Sequence, residues 1–157
     1  MDRVADLPPD LQSALADHDV VVFDGDCVLC SGFFRFVLRA DRTARFRFVL
    51  AQSELGGRLY RALGLDDRDF ETNVVIVGGR IHTRGRAFTA AMRRLGWPWR
   101  AAALGDALPR RLADPLYRWI ARNRYGIFGR HDLCIVPAGP VAGRFLPGGE
   151  KAAAVAA

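Results

Sequence analysis

One junction constrains this chain more than any other feature. The apolar run Val20-Val21-Val22-Phe23 stops at the turn Asp24-Gly25-Asp26, and Cys27-Val28-Leu29-Cys30 follows at the head of a segment with helical periodicity. Four consecutive β-formers without polar alternation read as a strand buried on both faces, the pattern of a parallel sheet covered by helices. Phe33, Phe34, Val37 and Leu38 recur at helical spacing, with Arg35 and Arg39 between them, and predict a helix over about 28–41.

The rest of the chain supplies partners for that unit. Residues 46–51 read as a second strand. Ser53, Leu55, Leu59 and Leu63 predict a helix with a serine N-cap, ended by Gly64. Residues 73–77 are a third buried strand, Gly78-Gly79 a hairpin turn and residues 80–84 a fourth strand. Residues 87–95 form a helix stopped by Gly96 and Pro98. The order β-α-β-α-β-β-α, a parallel βαβ unit followed by a hairpin and a helix, predicts an α/β fold with a thioredoxin-like core. Leu112, Leu116 and Ile120, joined by Trp119, predict a helix over about 111–124 that packs this apolar face on the core. The expected organisation is a lead-in over 1–17, one domain over 18–137 that includes a C-terminal helical extension over about 97–130, and a Gly-, Pro- and Ala-rich flexible tail over 138–157.

With 157 residues, half of them hydrophobic, the chain suits one domain with a real core. Its formal net charge of +6 is carried almost wholly by arginine, Lys151 being the only lysine. The arginines alternate with acids and apolar residues, the pattern of a solvated surface, which argues against nucleic acid as the partner. The first residues are polar and acidic, and no window approaches the ~18 apolar residues of a transmembrane helix, so a cytoplasmic location is expected. In that compartment a close cysteine pair points to catalysis or metal binding, because structural disulfides are rare there.

Position gives the pair its chemistry. A helix N-terminus carries unpaired N–H groups and a partial positive charge, and both favour thiolate over thiol. Cys27 is therefore the expected nucleophile and Cys30, within one turn of it, the resolving thiol. Asp24 and Asp26 flank the site. An acid there can accept the Cys30 proton in the second step, while its charge opposes the helix dipole. No cofactor is required. The expected partners are a disulfide-containing protein or small thiol as substrate, and an unidentified cellular thiol or reductase as electron donor.

Val21-Val22-Phe23-Asp24-Gly25-Asp26-Cys27-Val28-Leu29-Cys30 resembles the opening motif of the DCC family of predicted thiol–disulfide oxidoreductases, whose Asp-x-x-Cys-x-x-Cys pattern falls here on Asp24, Cys27 and Cys30. Ala51-Gln52-Ser53-Glu54 is similar to a second stretch of that family. Residues 117–125 with Phe128-Gly129 resemble its C-terminal signature, and Leu133-Cys134-Ile135-Val136-Pro137 its Cys-x-x-Pro ending. The resemblance spans roughly residues 19–137. It implies a thioredoxin-like fold and protein-disulfide reductase activity. Thioredoxins place a cis-proline before the third strand, facing the cysteines. This chain reads Glu71-Thr72-Asn73-Val74 there, which makes Thr72 the equivalent position and Thr72 with Asn73 the candidate substrate groove.

Three other readings compete. Cys27, Cys30, His131 and Cys134 have ligand types and pair spacings suited to tetrahedral zinc, which would make the chain a zinc-binding domain without redox turnover. Residues 21–26 have the strand-then-DxD form of a haloacid dehalogenase-type phosphatase, but the lysine that chemistry needs exists only as Lys151 in the tail. Arg118, Trp119, Arg122, Arg124, Tyr125 and Phe128 interleave arginine with aromatics, as a nucleic-acid or anionic-membrane surface does. His18 and His82 are expected to be structural or solvent-facing.

Overall fold

A computed structural model of the chain describes residues 2–68, 70, 72–107, 109–128 and 139–150. Its centre is a four-stranded mixed sheet of β1 (Asp19–Phe23), β2 (Phe46–Leu50), β3 (Val74–Val77) and β4 (Arg80–Thr83), in the order β2-β1-β3-β4. β1 lies parallel to β2, with Val21 opposite Phe48, and antiparallel to β3, with Val21 opposite Val75. β3 and β4 form the predicted hairpin across Gly78 and Gly79, both at positive φ. Helix α2 (Val28–Ala40) makes the crossover from β1 to β2. α3 (Glu54–Ala62) leads away from β2, and α4 (Gly85–Leu95) follows the hairpin. This is a mixed α/β arrangement consistent with a thioredoxin-like fold. α1 (Pro9–Leu15) precedes it and α5 (Arg110–Phe128) follows it.

Alternation along the strands divides the core into two layers. Val20, Val22, Val49, Val74 and Ile76 face α1 and α3 and pack with Leu11, Leu15, Leu55, Leu59 and Tyr60. Val21, Phe23, Phe46, Phe48, Leu50 and Val75 face α2 and α4 and pack with Phe34, Val37, Ala91 and Met92. Each fully buried side chain of this size stabilises by roughly 1.5–3 kcal/mol before the entropy of ordering it is subtracted. On the second face Phe34 fixes α2. Its ring stacks on Phe23 at 4.4 Å between centroids and meets Phe48 edge-on at 4.7 Å. Since Phe34 stands one turn beyond Cys30, the same contacts set where the cysteines lie.

Local signals in the sequence hold where their chemistry is complete. Ser53 caps α3, its hydroxyl accepting the Gly56 N–H at 3.1 Å. α3 starts so close to β2 that a Cβ on Gly56 would stand 2.2 Å from the Leu50 carbonyl oxygen, which only glycine avoids. α4 ends at Gly96, with φ at +82°.

Two expectations meet a different arrangement. Of the predicted stripe, Leu112, Leu116 and Trp119 face out, with these side chains 62 %, 54 % and 59 % exposed, and only Ile120 is half-buried, beside the half-buried Ala113 and Tyr117 and the buried Ala121. The helix therefore docks through Ala113, Tyr117, Ile120 and Ala121, and on this face the Tyr117 hydroxyl accepts the Asn73 N–H. The Gly- and Pro-rich stretch read from composition as a tail runs, over residues 139–150, along the edge of β2. Leu146 N–H donates to the Phe48 carbonyl (3.1 Å), Phe145 and Leu146 are buried, and the Arg144 guanidinium pairs with Asp41 at 2.6 Å. Two apolar side chains and one arginine outweigh the composition around them. At the other end Val4 and Leu7 join the core, and Ile81 N–H donates to the Asp2 carbonyl (2.9 Å).

Candidate functional site

The site forms where β1 delivers the chain to α2. Cys27 is the N-cap residue of α2, with extended backbone (φ −94°, ψ 123°), and Cys30 lies in the first turn. Both are held as thiols and both are buried, Cys27 completely and Cys30 to within 2 %. They pack in the aromatic layer beside Phe23 and Phe34. Apolar burial withholds water from a charged sulfur, while the first-turn N–H groups of α2 offer it a partial positive charge. The pair is thus protected from solvent and placed where a thiolate has one favourable direction to face.

The loop before Cys27 is fixed by the strand-to-helix junction beside it. Asp24 is buried, and its Oδ1 accepts the Asp26 N–H (2.9 Å) and the Gln52 side-chain amide. Gln52 Oε1 in turn accepts the Gly25 N–H at 3.1 Å. One glutamine therefore holds two points of the turn, and a Ser31 Oγ–Gly25 carbonyl contact at 3.4 Å adds a third from α2. The two flanking acids are not equivalent: Asp24 is buried within this lattice and Asp26 is exposed.

Opposite the helix, Asn73 reaches the pair. The Cys30 thiol donates to Asn73 Oδ1 at 3.5 Å. Asn73 N–H donates to the Tyr117 hydroxyl (3.3 Å), and the Asn73 carbonyl accepts the Arg84 N–H (3.2 Å). The adjacent Thr72 carbonyl accepts the Tyr60 hydroxyl at 2.6 Å. Cys27, Cys30, Asp24 and Asp26 thus share one junction, and Thr72 and Asn73 stand across from it, Asn73 in contact with Cys30. His131 and Cys134 lie outside the described residues. Among the described residues no group of three or more His, Cys, Asp and Glu side chains gathers to hold a metal.

Gln52, Tyr60 and Tyr117 shape the site but do not follow from spacing. Gln52 and Tyr117 lie inside the stretches quoted above for their family resemblance, which was the available signal. Nothing in the sequence marks Tyr60 beyond its place on an apolar helix face.

Comparison with known proteins gives consistent matches. Residues 21–130 match the family model described as DCC1-like thiol-disulfide oxidoreductase. The chain is 37 % identical over 128 residues to the uncharacterized protein YuxK of Bacillus subtilis (strain 168), an alignment that covers 82 % of this chain and 93 % of that one. It is 34 % identical over 116 residues to a chloroplastic DCC family protein of Arabidopsis thaliana, covering 73 % of this chain and 67 % of the other. No solved structure matches significantly.

Proposed function

Because this chain belongs to the DCC1-like thiol-disulfide oxidoreductase family, we propose that it acts as a protein-disulfide reductase in which Cys27 attacks and Cys30 resolves. The observation that carries this reading is the placement of Cys27 at the N-cap of α2 with Cys30 one turn on. The Cys27 thiolate attacks one sulfur of a substrate disulfide. A Cys27–substrate disulfide forms, the substrate S–S bond breaks, and the first substrate thiolate leaves and takes up a proton. Cys30, deprotonated, then attacks Cys27 Sγ. The protein disulfide forms and the second substrate thiol is released. Two electrons pass from the dithiol to the substrate, and an external thiol reductant returns them. Asp24 and Asp26 tune protonation at the junction, and Thr72 and Asn73 line the substrate side. No helix among the described residues is long and apolar enough to cross a membrane, and we place the reaction in the cytosol.

Trapping tests the order of attack. Cys30→Ser leaves the mixed disulfide without its resolving thiol, so incubation with a disulfide substrate should accumulate a covalent adduct on Cys27 that dithiothreitol removes. Cys27→Ser should give none. An adduct that forms on Cys30 in the Cys27→Ser protein, but not on Cys27, would reverse the assignment.

A further inference from the structure

The outward face of α5 is apolar and uncovered. Leu112, Leu116, Trp119 and Ile127 are all exposed, and their spacing puts them in one stripe that runs about 22 Å along the helix. Asn123 falls within the stripe, but its side-chain amide folds back to donate to the Trp119 carbonyl at 2.8 Å. We propose that this face rests on the surface of an anionic phospholipid membrane. The inference does not depend on the redox reading above.

Charge selects the occupant. Over its length α5 carries five arginines and a single acid, Asp114. Arg111, Arg118 and Arg122 are exposed and recur at spacings of seven and four, so they form one row beside the apolar stripe. Arg118 Nε makes a 3.4 Å contact with the Asp114 carbonyl inside the helix, which leaves most of its guanidinium fork directed elsewhere. Guanidiniums match lipid phosphates, and their aliphatic stems lie along apolar surface while the heads stay at the headgroup level. Tryptophan beside leucine and isoleucine, flanked by arginine, is the composition of a helix that lies in the interface plane. No helix among the described residues is long and apolar enough to cross a membrane, so α5 lies on the bilayer and does not enter it end-on.

Shape agrees with charge. The stripe is a convex ridge on one helix, and a fluid plane can close around a ridge without a preformed groove. The opposite face of α5 is already spent on the protein, through Ala113, Tyr117, Ile120 and Ala121. Tyr117 on that inner face accepts the Asn73 N–H, and Asn73 accepts the Cys30 thiol, so the helix that meets the lipid also backs the redox pair. The cytoplasmic leaflet, negatively charged, is the surface that this face suits.

Vesicle flotation of the full chain tests the proposal. With equimolar phosphatidylcholine and phosphatidylglycerol at low salt the chain should float, and with phosphatidylcholine alone it should not. Leu116→Gln with Trp119→Gln should weaken binding about tenfold or more, and Arg118→Gln with Arg122→Gln should weaken it and flatten its salt dependence. Arg58→Gln with Arg61→Gln removes equal charge from α3, on the other side of the sheet, and should have little effect. All six positions are exposed, and matched denaturation midpoints check the folds. Failure to float, equal binding to neutral vesicles, or flotation that the stripe substitutions leave intact overturns the proposal. So does equal weakening by the α3 pair, which is the mark of general adsorption of a basic protein. A wild-type chain that sediments as a dimer, made monomeric by the stripe substitutions, would assign the face to a second copy and overturn it too.

Discussion

Gln52 sits at the end of β2, yet its side chain governs the turn at the end of β1. Its carbonyl oxygen holds the Gly25 N–H, and its amide holds the buried Asp24 carboxylate. Gln52→Ala would leave a buried donor and a partly satisfied buried carboxylate, at a cost of about 1–3 kcal/mol. Denaturant titration should show that loss, and Cys27 should become more accessible to alkylating reagents as the turn loosens. Unchanged stability and labelling would show that the glutamine is dispensable to the loop. Cys27 and Cys30 were legible from spacing because thiol exchange needs two thiols within a turn. Gln52 was not, because an amide that crosses 27 residues to reach Gly25 leaves no periodic trace. The difference between Asp24 and Asp26 was equally hidden, since burial of one and exposure of the other is decided by this tertiary lattice and not by the turn they share.

Strands and core helices were the most readable elements. Val20–Phe23 carries its burial in its composition, and Phe34 and Val37 carry theirs in helical spacing. α5 shows where such reading fails. Leu112, Leu116 and Ile120, joined by Trp119, outline the predicted apolar stripe, but only Ile120 of these turns inward, and the helix docks through it with Ala113, Tyr117 and Ala121. Hydrophobicity alone ranks the first face higher, and the Tyr117–Asn73 hydrogen bond belongs to the second. At the start of α3 the close approach to β2 gives a sharp prediction. Gly56→Ala places a methyl group against the backbone carbonyls of Leu50 and Ala51, and overpacking of this kind costs on the order of 1–3 kcal/mol. Gly57→Ala, one position on, would meet only the flexible end of Arg61 and should be close to neutral or mildly stabilising. Equal denaturation midpoints for the two variants would contradict the packing described for this helix.

At the scale of the molecule, the C-terminal stretch ties together the end of α2 and the start of β2. Asp41 accepts the Phe46 N–H at 2.8 Å and the Arg144 guanidinium, which also donates to the Phe46 carbonyl at 2.9 Å. The ion pair is largely shielded, with side-chain exposures of 15 % for Arg144 and 3 % for Asp41. Arg144→Ala strands a buried carboxylate and should cost roughly 3 kcal/mol, whereas removal of the exposed Arg61–Asp67 pair should cost less than about 1 kcal/mol. Thermal denaturation of the two variants side by side measures the contrast. Composition concealed this strap, because glycines and prolines dominate the stretch while its three anchoring residues, Arg144, Phe145 and Leu146, are few.

The central claim is that Cys27 and Cys30 cycle between dithiol and disulfide. The most direct measurement is a redox titration of metal-free protein, read by thiol labelling and intact mass. Both thiols should disappear together in a single two-electron transition, with a mass loss of two hydrogens, and Cys27→Ser or Cys30→Ser should abolish it. A pair that stays labelled at every accessible potential would contradict the account. So would one equivalent of zinc retained through purification and lost only with these cysteines.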